Sequence, residues 1–282
     1  MTWATIARRD FQDAVQSKAL WALVVTFVVL STITSYAFAE APELFGVPGD
    51  TGFEDLIVFT TSLLALFVPL AAIVVCYKSI AGERERGSMK VLLSLPTTRR
   101  DVFLGKLLGR TAVLWVGLGV GLLVGMVFGA ALLGTVDVAP LVVFVFLTLA
   151  FVAVYAAIMV GISATTGSTT RATTLALGFF VLLELVWDVI LLGVLYVTSG
   201  FEVPVEIPGW FGYLAQLSPS SAYVSSIIAF LPEPADEADA DEVGAGAFDI
   251  AIEMPEVGAL VLVAWFVLAV VVGALRFQRA DL

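Results

Sequence analysis

The chain has no histidine and a single cysteine among its 282 residues. Without histidine it lacks the commonest transition-metal ligand and the one side chain that ordinarily titrates near neutral pH, so most metal chemistry and the usual acid–base catalysis fall away. Cys76 has no partner for a disulfide within the chain and lies inside an apolar run, where it says nothing about redox compartment. Charge is scarce too, with 14% of residues charged against 60% hydrophobic. A mean hydropathy of +1.02 lies well outside the soluble globular range. No G-x-x-x-x-G-K-[ST] occurs: Gly105-Lys106 lacks the preceding glycine and follows no strand, so no phosphate-cradling loop forms. A chain of net charge −11 is expected to have no nucleic-acid partner.

What remains is apolar length. Runs of about twenty apolar residues suffice to cross a hydrocarbon core of roughly 30 Å as helices. Six such runs fall at 20–39, 56–80, 108–133, 139–163, 175–197 and 257–275. They predict an all-α membrane protein, a single transmembrane domain over 1–282 with the lipid bilayer as its first partner. All fourteen Lys and Arg residues fall on one side of these spans: Arg8, Arg9 and Lys18 before the first, Lys78 to Arg110 between the second and third, Arg171 between the fourth and fifth, and Arg276 and Arg279 after the sixth. The excess of positive charge marks the cytoplasmic side, so both termini are expected there, in a multi-pass protein of the cell membrane. The acids crowd the opposite side, above all in the outer loop 198–256, as expected of a chain from a very salty environment. The densest run, Glu233 to Glu242, has no metal-binding spacing of the D-x-[DN]-x-[DN]-G kind.

Ahead of span 1, Arg8-Arg9 resembles a twin-arginine export signal, but the first span is too long and Asp10 and Asp13 acidify the basic stretch. Trp3, Ala7, Phe11 and Ala14 recur at helical spacing opposite Arg8, Arg9, Gln12 and Asp13, which predicts an amphipathic helix lying in the inner interface. In span 3, Gly117, Gly121, Gly125 and Gly129 stand four apart and form one smooth stripe for close backbone approach, either inside one subunit or between two copies. Pro69 removes a backbone hydrogen bond inside span 2. Span 5 carries the only acids within the membrane, Glu184 and Asp188, at i and i+4. Such residues mark either a translocation path or ion relay, or a polar contact between helices. Between spans 5 and 6, the stretch 208–231 is apolar and aromatic but broken at Pro208 and Pro219, which predicts two short helices dipping into the outer leaflet.

The connection 82–106 holds six of the fourteen Lys and Arg residues. Gly87 and Pro96 punctuate a helix of about two turns, with Met89, Leu92 and Leu93 on one face. A face of that kind on the cytoplasmic side invites a groove on another protein. Thr98 and Asp101 spell a capping box that starts the helix running into span 3. Arg99 and Arg100 then sit in its first turn, where the helix dipole disfavours cations and something anionic, lipid phosphate or a partner's acids, is expected to compensate.

At these residues the chain resembles a known family. Ala81-Gly-Glu-Arg-Glu-Arg-Gly-Ser, then Leu92-Leu93-Ser-Leu-Pro, Arg99-Arg100-Asp and Gly105-Lys106-Leu107-Leu108-Gly109 look like the permease subunit of type 2 ATP-binding-cassette exporters, in the branch that includes the nitrous-oxide-reductase maturation permease. The resemblance implies that Glu83 to Leu95, with Glu83, Arg84, Glu85, Arg86, Gly87, Met89, Leu92, Leu93, Arg99 and Arg100 as its contact residues, is the coupling helix that docks on a separate ATPase. It implies a non-enzymatic subunit with no cofactor of its own, ATP and Mg being bound by that ATPase. It further implies a homodimer of permeases and leaves room for an extracytoplasmic partner. Two other readings stand beside it: an ion-coupled secondary transporter or channel using Glu184 and Asp188, for which no internal repeat of spans is found, and a scaffold that transmits ATPase motion without moving a substrate.

Overall fold

Within hydrocarbon a backbone must satisfy its polar groups inside its own segment, and the apolar runs accordingly fold as helices. The computed structural model describes residues 2–40, 52–94, 96–134, 136–202, 204, 207–231 and 255–280, and every regular element among them is helical. Helix α1 (Trp3–Val15) precedes span 1, α2 (Lys18–Ala39), which Ser17 caps through its hydroxyl. Span 2 is α3 (Phe53–Cys76); two short helices follow, α4 (Ala81–Glu85) and α5 (Ser88–Leu93). Span 3 is α6 (Arg99–Leu133), opened by the expected Thr98–Asp101 capping box and closed at Gly134, whose left-handed φ of 71° ends the helix. Span 4 is α7 (Val138–Thr165). Span 5 is composite: α8 (Thr169–Phe180), a π-helical turn over Val181–Val186, and α9 (Trp187–Thr198). Then come α10 (Gly209–Ala215), α11 (Pro219–Ile228) and span 6, α12 (Pro255–Gln278). Six of these helices or helix runs are long and apolar enough to cross a membrane. The acidic run Glu233 to Glu242, and Leu95, lie outside the described residues.

Span 4 is the axis of the molecule. Phe144, Phe151, Val152, Tyr155, Ala156, Met159 and Val160 are fully buried along it, and spans 2, 3 and 6 pack around them. The expectation that the outer pair of short helices dips into lipid needs correction for α11. Ser220, Ala222, Tyr223, Ser226 and Ile227 are buried, and the Tyr223 ring stacks on Phe151 of span 4 at 4.3 Å and 7°. The helix is wedged among spans 2, 4 and 6, so its polar face meets protein and not lipid.

The glycine stripe of span 3 packs inside one chain. A Cβ on Gly121 would stand 2.6 Å from Phe27 Cβ, and one on Gly125 would stand 2.5 Å from Ser31 Cβ, so only glycine admits span 1 at this depth. The closeness is used: Ser31 Oγ donates to Gly121 O at 2.7 Å and Ser35 Oγ to Gly125 O at 2.9 Å. The stripe continues toward the cytoplasm, where a Cβ on Gly105 or Gly109 would collide with Ile6 or Asp10 of α1. Helix α1 is therefore docked on span 3 through Ile6, Asp10 and Ala14, a face that shares only Ala14 with the Trp3, Ala7, Phe11 and Ala14 stripe that periodicity selects. Trp3 is left 46% exposed, free to meet the interface.

Candidate coupling site and a midplane polar cluster

Three turns of short helix separate spans 2 and 3, and their geometry begins at Ser163, near the inner end of span 4. Its hydroxyl donates to Tyr77 O at 2.8 Å and accepts from Ile80 N and Ala81 N at 3.1 and 3.0 Å, capping the start of α4. Gly87, at φ 74°, turns the chain from α4 into α5. Thr97 Oγ1 closes α5 by donating to Leu92 O.

Each charge of the Glu-Arg-Glu-Arg run is tied to a specific element. Glu83 pairs with Lys106 of span 3 at 2.5 Å, and Lys106 also pairs with Asp10 of α1 at 2.8 Å. Arg110, one turn further on, meets the other Asp10 oxygen at 2.9 Å. Arg84 donates to Ala164 O at the end of span 4, the negative end of that helix. Glu85 accepts from Thr169 Oγ1 at 2.5 Å and Thr169 N at 3.3 Å, at the positive start of span 5. Arg86 folds back on Gly82 O. The side chains expected to form a charged rim for a partner are thus largely spent inside the protein.

Met89 is fully buried, and Leu92 and Leu93 are half-buried against the core, so much of this face anchors α5 on its own chain. A six-residue helix on a water-facing surface must bury its one apolar face somewhere, and the nearest surface is its own chain. Val91, on the other side, is 70% exposed. Arg99 finds its anionic compensation within the chain too: its Nη1 donates to Phe277, Gln278 and Ala280 carbonyls at 3.2, 2.9 and 2.6 Å, capping the C-terminal end of span 6. Arg100 stays exposed. Between α1 and α5 a groove of about 380 Å³ opens, walled by Ile6, Arg9, Asp13, Val91 and Leu92 with Lys106 at its floor.

At membrane depth the polar groups form a second cluster. The Tyr155 hydroxyl of span 4 donates to Glu184, in the π-turn of span 5, and lies 3.4 Å from Ser220 Oγ. Ser220 Oγ donates to Ala65 O at 2.9 Å. Ala65 is four residues before Pro69, whose missing N–H leaves that carbonyl without its helical partner. The turn between α10 and α11 is held by two indoles: Trp187 Nε1 donates to Leu214 O and Trp265 Nε1 to Leu217 O, both at 2.9 Å. Irregular backbone is tolerated at this depth only where such donors reach it. Asp188 does not join Glu184; it is exposed on the surface of the single chain. Among the described residues no group of three metal-ligating side chains comes together.

The sequence matches the ABC-2 family transporter protein family over residues 4–282. The chain belongs to that family. Among similar proteins, the probable ABC transporter permease protein NosY of Pseudomonas aeruginosa is 29% identical over 229 residues, covering 78% of each chain. The protein of the same description from Stutzerimonas stutzeri is 30% identical over 233 residues, covering 77% of this chain and 78% of its own. The ABC-2 chain is therefore the transmembrane permease subunit of an ABC transporter, a multi-pass membrane protein that works with an ATPase subunit. Membership of that family speaks against an ion-coupled secondary transporter or channel.

Proposed function

We propose that this permease serves an exporter and takes its ATPase on the cytoplasmic groove between α1 and α5, with Val91 as the exposed apolar contact. The observation that carries the reading is the wiring of residues 83–106. Glu83 reaches span 3 and α1, Arg84 the end of span 4, Glu85 the start of span 5 and Arg99 the end of span 6. A push on this region is delivered to five helices at once, as a part that turns nucleotide-driven motion into membrane motion must do. Substitution Val91→Asp tests it. An exposed valine costs little folding stability when replaced, whereas a charge at an apolar anchor weakens binding by more than about 1 kcal/mol, at least about fivefold. Retained co-purification of the ATPase at wild-type affinity would move the docking surface elsewhere. The orientation is checked by Val136→Cys, expected to react with an impermeant reagent from outside only; Arg171→Cys should react from inside.

The permease is further read as pairing with a second copy. Span 5 leaves Leu182, Leu185, Val189 and Leu192 exposed, with Asp188 among them. An ionised carboxylate facing lipid costs about 2.5–3.5 kcal/mol, so Asp188 belongs against protein or in a water-filled space between copies. Disulfide trapping of Val189→Cys in native membranes should give a covalent dimer, and its failure along every exposed position of span 5 would remove this face.

A further inference from the structure

Within the single chain the π-turn of span 5 has no packing reason to exist. None of its residues, Val181 to Val186, is buried. A π-turn holds one residue more than the α-helix it interrupts, and a regular helix would be the lower-cost conformation for Val-Leu-Leu-Glu-Leu-Val in hydrocarbon. Two side chains on either side of its end supply the missing reason. Glu184 is drawn to the Tyr155 hydroxyl of span 4. Trp187, three residues on, is drawn to Leu214 O at the hairpin turn. The extra residue lets both bonds form from one helix.

We propose that this turn is a register switch in span 5 and that Glu184 is the positioning residue that holds it open. With Glu184 on Tyr155, the wide turn persists. When that bond parts, Val181 to Val186 closes to α geometry, and the segment beyond turns by one residue, about 100°, with a rise of about 1.5 Å. Helix α9 turns against a neighbour. Leu191 and Leu195 pack on Phe211 and Ala215 of α10, so the rotation takes them off that surface and brings the adjacent face of α9 onto it. The Ser220 hydroxyl, within reach of Tyr155 and bonded to Ala65 O, places the inner arm at the same contact. At the other end, span 5 begins at Thr169, bonded to Glu85 of the coupling region, so a pull there acts along the helix that holds Glu184. This last link rests on the coupling reading above; the switch itself does not.

The test follows the face of α9. In Cys76→Ala permease reconstituted without ATPase, spin labels at single cysteines over 188–197 should show minima of oxygen accessibility at Leu191 and Leu195. In Glu184→Ala the minima should move by one residue. Tyr155→Phe, which removes the hydroxyl and little volume, should move them too and serves where the alanine variant fails to insert. Minima that stay at Leu191 and Leu195 in both variants overturn the switch. In the complex with its ATPase, ATP should move the minima of the parent protein but not of a chain lacking Leu185, in which the turn is already regular and α9 unmoved. ATP that leaves the parent minima in place overturns the link to the coupling region, and the permease-only arm alone then decides the switch. A complex that does not assemble defeats the coupling reading, while the permease-only arm still decides the switch.

Discussion

At the cytoplasmic end of this permease, contacts between helices are made by charged side chains: Asp10, Glu83, Lys106 and Arg110 in one group, with Arg84, Glu85 and Arg99 each on a helix end. At mid-membrane the contacts are made by a single acid and by neutral donors, the hydroxyls of Tyr155 and Ser220 and the indoles of Trp187 and Trp265, aimed mostly at main-chain carbonyls. Both centres join three or more helices. The difference lies in what each environment tolerates. Near water an ion pair needs only partial desolvation, and helix ends offer ready partial charges. In hydrocarbon a second charge is costly, and the carbonyls left open before Pro69 and at the hairpin tip are met by neutral donors.

The comparison breaks most readily at Lys106. Its ammonium is shared by Asp10 and Glu83, and Lys106→Met leaves Glu83 without its cation and Asp10 with Arg110 alone. Removing one member of a buried ion pair typically costs about 3–5 kcal/mol, and the remaining Arg110–Asp10 pair puts this variant at the lower end. Thermal unfolding of the purified permease should show the loss. Glu83→Gln in the Lys106→Met background, which neutralises the acid left unpaired and keeps Asp10 for Arg110, should recover much of it. Stability unchanged by Lys106→Met would mean that α1 is held by apolar packing alone.

Gly121→Ala comes next and lies between the two centres. The added methyl has Phe27 Cβ at 2.6 Å and Phe27 C at 2.8 Å, backbone that cannot swing aside. Overpacking of this kind costs about 1–3 kcal/mol. The same change at Gly119, which has open space, should cost nothing measurable, so the pair separates packing from helix propensity. Equal stabilities for the two variants would show that spans 1 and 3 part more easily than their geometry states.

Much of this architecture is legible in the sequence, and the unread part has a common physical origin. Span lengths, the Thr98 capping box, the left-over glycines and the charge-dense connection all follow from local pattern, because hydropathy and capping act over a few residues. Met89, Leu92 and Leu93 show the limit: periodicity says that they share a face, not whether the face looks to a partner or to its own chain. Local pattern marks Arg99 as a cation in an unfavourable turn, but its partners lie near residue 278, beyond any local rule. Asp10 was read only as diluting a basic stretch. The signal that could have found it is the match between Ile6, Asp10 and Ala14 on one helix and Gly105, Lys106, Gly109 and Arg110 on another, all at helical spacing. Glu184 and Asp188 were placed together by the i, i+4 rule, which presumes an α-helix; the π-turn separates their surroundings.

The smallest effect tests the claim that the mid-membrane donors stand in for lost backbone bonds. Ser220→Ala removes the donor to Ala65 O and leaves that carbonyl without a partner in a buried site, at about 1–3 kcal/mol. Pro69→Ala restores an N–H four residues beyond Ala65, so it offers the carbonyl its helical bond back, though any bend that positions span 2 is lost with the ring. If Ser220 serves the carbonyl that Pro69 freed, the two changes are coupled: Ser220→Ala should cost markedly less in the Pro69→Ala background than alone. A double-mutant cycle on unfolding midpoints reads that difference, expected at about 1 kcal/mol, within the range for residues sharing one network. Additive costs would show that Ala65 O finds another donor in the single variant, and that Ser220 is held in place by Tyr155 and not by the break in span 2.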